Sequence, residues 1–286
     1  MNPMHPSSAD KRRAFRQLHE AGCFVIPNPW DTGSARMLQG LGFKALATTS
    51  SGFAWSRGHP DNGVTRDMAL AHLRDMVAAT DVPVNADFER GFAANAAGLA
   101  ESVRLAIETG IAGLSIEDST GDELHPLYPI DEACERLRAA RRAIDQTGAD
   151  VMLVGRAECF LVGRPDIAET IARLKAYAHA GADCLYAPGL RTREQIVAVV
   201  EAVAPKPVNL LVGSVVDMTV ADIAALGVRR VSVGGALARA AWGGFMRAAK
   251  LLAEQGSFSG LADVAGGQTL NDFFAADLKN RLPFTG

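Results

Sequence analysis

Short runs, most of them largely apolar, recur along the chain at 23–26, 45–48, 82–86, 113–116, 151–154, 183–186, 207–210 and 229–233. Each is too short to be a helix of its own and is bounded by glycine, proline or polar turn residues, which predicts buried strands. Between them lie segments with apolar residues at helical spacing: 14–21, 31–41, 65–79, 94–109, 130–146, 166–180, 192–203, 219–226 and 237–254. Asp31, Thr32 and Thr65 stand where helix N-caps belong, and Gly22 and Gly42 stand where helices stop. The order gives eight strand–helix units. Such alternation implies a parallel sheet, and eight units close into a (β/α)8 TIM-type barrel, which takes ~250 residues. A doubly wound open sheet would call for a glycine-rich first turn that this sequence lacks.

A single barrel domain is therefore expected over residues 1–286, with a C-terminal helical extension from about 255. Residues 255–268 are glycine-rich and loop-like. Beyond them Leu270, Phe273, Phe274, Leu278 and Leu282 share one helical face. That face either folds back on its own barrel or packs on another subunit.

Composition narrows the function. Apolar residues make up 48% of the chain, enough for a sizeable core, and a net charge of −3 without a basic run argues against nucleic acid. A small-molecule partner is expected instead. Cys23, Cys134, Cys159 and Cys184 lack the Cys-x-x-Cys spacing of a zinc or redox site, so they are expected as reduced, mostly buried thiols in a cytoplasmic protein. Cys159 and Cys184 read as packing residues. No apolar segment follows the polar first dozen residues, and no run of 18 apolar residues occurs, so neither export nor a membrane is expected.

The chemistry gathers at strand ends, where barrel active sites lie. Residues 82–92 deliver Asp87 and Glu89, whose period-2 spacing points both carboxylates one way. An isolated pair of this kind also serves as a helix cap. The fourth strand repeats the design with Glu117 and Asp118. Asp87, Glu89 and Glu117 would form a hard-oxygen site for a divalent cation that keeps several waters, magnesium or the similar manganese. Thr49, Ser50 and Ser51 follow the second strand, either as a plain loop or with backbone N–H groups near a bound anion, and Asp61 lies in the next loop. Arg156 and Glu158 follow the fifth strand. An arginine there needs an anion, whether a protein acid or a ligand. Asn209 ends the seventh strand. His125 is the one base in loop 118–129 that titrates near neutrality, and the same residue fits a solvated loop.

The order of these segments resembles the isocitrate lyase/phosphoenolpyruvate mutase superfamily over nearly the whole chain. Gly42-Phe43-Lys44-Ala45-Leu46 precedes the loop in which Thr49, Ser50 and Ser51 match residues that hold the substrate carboxylate. Asp61 matches a loop aspartate near the metal. The metal motif Asp-x-Asp-x-Gly-Tyr-Gly stands here as Asp87-Phe88-Glu89-Arg90-Gly91-Phe92-Ala93. Glu117 matches the third metal-shell acid, Arg156 the substrate arginine and Asn209 the polar residue of strand seven. The lyases' Lys-x-Cys-Gly-His signature is missing from 118–129, as are the lysine and asparagine of the phosphonate-forming mutases. The resemblance implies a magnesium-dependent carbon–carbon lyase acting on a small 2-oxo or 2-hydroxy dicarboxylate through a metal-stabilised enolate. In that picture Arg156, Glu117 and His125 are the catalytic candidates. An oxaloacetate-type decarboxylase, an acylpyruvate-type hydrolase and a non-catalytic 2-oxo acid binder are the alternatives. The resemblance also implies a homo-oligomer, a tetramer built by exchange of the chain's end between barrels.

Overall fold

Residues 5–279 are described by the computed structural model. They contain β1 (Phe24–Ile26), β2 (Leu46–Ala47), β3 (Val84–Asp87), β4 (Gly113–Glu117), β5 (Met152–Arg156), β6 (Cys184–Tyr186), β7 (Val208–Leu211) and β8 (Arg230–Ser232). All pair in parallel, in the order β1-β8-β7-β6-β5-β4-β3-β2. Between β1 and β2 the barrel is closed by side-chain and loop bonds. Ala47 N–H donates to Pro27 O (3.1 Å) and Asn28 Nδ2 donates to Thr48 O (2.9 Å). Asn28 Oδ1 accepts from the amides of Val233 and Gly234, so one buried amide side chain laces β1, β2 and β8 together.

The helices are α1 (Ser8–Leu18), α2 (Thr32–Gly40), α3 (Ser50–Ser56), α4 (Arg66–Ala79), α5 (Ala96–Glu108), α6 (Ile130–Thr147), α7 (Ile167–His179), α8 (Arg193–Val203), α9 (Val220–Ala225), α10 (Ala236–Gln255) and α11 (Gly267–Lys279). Their starts follow the expected chemistry: Asp31, Thr65, Thr192 and Thr219 each accept a backbone N–H of the first turn. Strand alternation then sorts the apolar residues into two cores. Ala86, Leu114, Ile116, Leu153, Leu185 and Leu210 belong to the outer core, among helix residues such as Leu99, Leu137 and Leu174. Ala45, Ala47, Met152, Val154 and Cys184 belong to the inner one, with Phe15 of α1. Gly113 makes room for that ring. A Cβ there would stand 2.7 Å from both Phe15 Cε1 and Asn85 Oδ1.

The structure corrects the sequence reading at three places. Residues 50–56, read as loop, form α3, because Thr49 caps the turn and accepts from Gly52 N–H. The segment expected as the eighth barrel helix does form, as α10, but among its side chains only Ala238 is buried. Trp242, Phe245, Met246 and Leu252 remain exposed. Phe24 and Val25 of β1 are correspondingly only half-buried, whereas β4 is buried throughout. The expected apolar face of the last helix divides. Phe273 and Phe274 of α11 lie against Gly40 and Gly33 of the chain's own α2, and Asp277 pairs with Arg36 at 3.6 Å. Leu270 and Leu278 are exposed, and Leu282 lies outside the described residues. Among the described residues no helix is long and apolar enough to cross a membrane.

Phe15 is fully buried in the inner core, so Phe15→Ala should destabilise the protein by about 3–5 kcal/mol. Urea unfolding followed by circular dichroism measures this; a change below about 1 kcal/mol would show that the ring does not anchor this core.

Candidate functional site

Asp87 is the last residue of β3. It is fixed from both sides: its own N–H donates to Thr48 Oγ1 and its Oδ2 accepts from Ser50 N–H, each at 2.9 Å. The first amide of α3 is therefore taken up by a protein carboxylate. Thr49 and Ser51 share a hydroxyl contact of 3.1 Å beside it.

Register sets the next residues in place. Glu117 on β4 is paired with Arg156 on β5, and Arg156 with Tyr186 on β6. Arg156 Nη1 lies 3.1 Å from Asp87 Oδ1 and 3.2 Å from Glu117 Oε2, and its Nε bonds Glu158 Oε1 at 2.5 Å. The Tyr186 ring faces the same guanidinium, its centroid 5.1 Å from Cζ. Ser119 Oγ donates to Glu117 Oε1 at 2.6 Å. Behind them, Asp118 accepts Glu158 N–H at 2.8 Å, the Tyr177 hydroxyl at 2.5 Å and Arg173 Nη1 at 3.0 Å. This buried network holds the backbone of Glu158 while its side chain reaches Arg156.

Glu89 departs from the expected geometry. β3 ends at Asp87, and Glu89 takes a left-handed conformation (φ 48°), so period-2 alternation no longer applies to it. Its side chain is buried in a pocket of about 10 Å³ with Phe53, His72, Phe88 and Phe92, and Oε1 has no hydrogen-bond partner. Burial pushes its pKa up to about 8, with Asp87 and Glu117 adding to the rise. Burial likewise raises Glu117, against the pull of Arg156. Asp61 is raised by burial and by Asp87. Burial opposes the charge of Arg156, yet Glu158, Glu117 and Asp87 hold it firmly protonated.

Two connected spaces open above these residues. A cavity of about 170 Å³ extends into the barrel and is lined by Ser50, Asp61, Asp87, Arg156, Asn209 and Arg230, among others. A wider vestibule of about 580 Å³, bordered by Arg90, Glu117, Ser119 and Glu158, leads outward. Asn209 is buried and donates to Ser232 Oγ at 2.9 Å. His125 stands apart. Its side chain is 82% exposed and lies 3.4 Å from Asp122, outside the residues that line either space. Cys159 and Cys184 are buried free thiols, both raised by burial.

Thr49, Ser50, Ser51, Asp61, Asp87, Arg156 and Asn209 are thus brought around one cavity, with Glu117 at its mouth. Asn28, Tyr186, Arg230 and Ser232 also line it and escape a reading of strand ends alone. Alternation carried back one step from the end of β8 finds Arg230, a charged residue at an inward position.

A magnesium ion fits the donor set in part. Asp87 and Glu117 approach the same guanidinium nitrogen, so a place between two carboxylates already favours a cation. Among the described residues no three acid, histidine or cysteine side chains meet as a metal-binding group. Two carboxylates plus water suit magnesium, which retains much of its hydration.

The family model described as phosphoenolpyruvate phosphomutase matches residues 15–253. An uncharacterized protein of Mycobacterium tuberculosis is 34% identical, over 77% of this chain and 81% of its own length. An oxaloacetate decarboxylase of Paraburkholderia xenovorans is 31% identical, over 77% of this chain and 74% of its own. A crystal structure from Burkholderia cenocepacia, provisionally described as a lyase/mutase, superposes with a TM-score of 0.91 at 48% identity, covering 94% of this chain and 97% of that one.

The raised pKa of Glu89 fixes the sign of a pH effect. Between about pH 4.5 and about 8 the native state holds this proton more tightly than the unfolded chain, so stability falls as pH rises through that window. In metal-free protein Glu89→Gln should melt above the parent at pH 8 and close to it near pH 5. Melting curves with chelator at both pH values check this; parallel pH profiles would contradict it.

Proposed function

The chain belongs to the isocitrate lyase/phosphoenolpyruvate mutase superfamily, whose members act on small carboxylates, and within it we propose a magnesium-dependent carbon–carbon lyase of a small 2-oxo or 2-hydroxy dicarboxylate. The observation that carries this reading is the meeting of Asp87 and Glu117 on one nitrogen of Arg156 at the mouth of a polar cavity. Asp87 and Glu117 would hold the ion, with Asp61 beside them and Glu89 behind. Bound magnesium supplies Lewis-acid stabilisation of the oxygen that gains charge as the carbon–carbon bond breaks. Arg156 orients a substrate carboxylate, with its charge maintained by Glu158. Thr49 and Ser51 offer hydroxyls, and Ser50 holds Asp87.

Decarboxylation of an oxaloacetate-type substrate is the second reading, and the position of His125 favours it. Cleavage of a 2-hydroxy acid needs a base at the hydroxyl, whereas decarboxylation needs chiefly stabilisation of the developing charge. His125 is largely exposed and does not itself line either space. A relative bearing the oxaloacetate decarboxylase name is consistent with this second reading.

Incubating the protein with magnesium and a panel of 2-oxo and 2-hydroxy dicarboxylates, while detecting pyruvate, glyoxylate and carbon dioxide, distinguishes the two readings by product. Asp87→Ala should lower turnover by about 100-fold or more and weaken magnesium binding in calorimetry. Unchanged magnesium affinity would remove Asp87 from the metal site.

The exposed face of α10 supports a homo-oligomer, a tetramer of exchanged pairs in which α10 of one subunit covers the half-buried β1 side of its neighbour. Burying side chains such as Phe245 and Met246 is worth ~1.5–3 kcal/mol each. Light scattering should give a multiple of the 30.2 kDa chain mass, and Phe245→Glu should lower it. A monomeric parent protein would end the exchange.

A further inference from the structure

The acids at the strand ends account for one half of the charge around the deep cavity. The other half lies lower in the barrel. Arg230 is 2% exposed and lines this cavity from β8. Its Nε donates to Asn209 Oδ1 at 2.8 Å, and its Nη1 lies 3.4 Å from Asn85 Oδ1. Both partners are neutral amides. Among the described residues no aspartate or glutamate pairs with it, and the ionisable groups that act on it most are Cys184 and Tyr186. Neither supplies an anion near neutral pH: burial raises the Cys184 thiol, and it pushes the Tyr186 phenol up to about 12.

An arginine keeps its charge in a protein interior, and a buried charge without a counter-ion is costly. Arg156 differs in this respect, because three carboxylates already surround it. The cavity is thus anionic at its mouth and cationic at its floor. Neutral hydrogen-bonding groups, including Asn28, Asn85, Ser115 and Ser232, line the space between. The cavity gives a counter-ion access to this floor.

We propose that Arg230 docks the far carboxylate of a dianionic substrate, so that the substrate runs from the strand-end acids down into the barrel. This rests on the lyase reading above and deepens it: specificity for a dicarboxylate over a monocarboxylate lies in β8. Asn209, bonded to both Arg230 and Ser232, positions the guanidinium.

Malate and lactate test this, since they share a 2-hydroxy carboxylate end and differ in the far carboxylate. Oxalate, whose carboxylates adjoin, reports on the metal side alone. In calorimetry with magnesium, the parent protein should bind malate at least about tenfold more tightly than lactate. Arg230→Met should reduce malate to the lactate level while leaving lactate and oxalate within about twofold, and Arg230→Lys should recover part of the preference. A parent protein without preference for malate overturns the proposal, and this arm needs no variant. Retention of the preference by Arg230→Met overturns it as well. Arg230-dependent binding of sulfate or chloride without a malate preference would assign the residue to an inorganic counter-ion and overturn it too. Failure of oxalate to bind the parent protein would instead overturn the metal-side reading, and the present inference with it.

Discussion

A buried guanidinium is costly unless it is paired, and Arg156 has three carboxylates around it. Much of the site follows from that requirement. Asp87, Glu117 and Glu158 come from β3, β4 and the turn after β5, so satisfying one guanidinium ties three neighbouring strand ends together. Asp87 is in turn held by Ser50 and Thr48, and Glu117 by Ser119. Asp118 fixes the backbone of Glu158 and is itself held by Tyr177 and Arg173. Carboxylates gathered this way repel one another and resist burial, as the raised pKa values of Glu89 and Asp61 record. A second cation would relieve that repulsion.

The barrel was legible because its signal is periodic. Eight short apolar runs separated by helical spacing permit few arrangements, and the observed strands lie within two or three residues of the expected ones. The strand-end acids were legible for the same reason. Glu89 was not, because alternation holds only while the chain stays extended, and a left-handed residue two positions past Asp87 turns its side chain into another pocket. The helical start at Ser50 was not legible, since a Ser-Ser-Gly sequence resembles a turn. Packing and the Thr49 cap make it the start of a helix. His125 has the right chemistry but lies on an exposed loop. Arg230 escaped because it lies one alternation step inside β8 rather than at the strand end.

Residues 236–279 show a second kind of limit. Helical periodicity correctly predicts α10, but it does not say which surface an apolar stripe covers. Packing of Phe273 and Phe274 on α2 uses the face of α11 that seemed free, and it leaves the face of α10 exposed. Local pattern determines the element, while the partner of its apolar face is decided by tertiary or quaternary contacts.

Asp87 and Glu117 are proposed to share one cation position at the mouth of the cavity. Anomalous diffraction from crystals grown with manganese tests it most directly. A single strong peak is expected within coordination distance of both carboxylates; a peak elsewhere, or none at saturating manganese, would rule this position out.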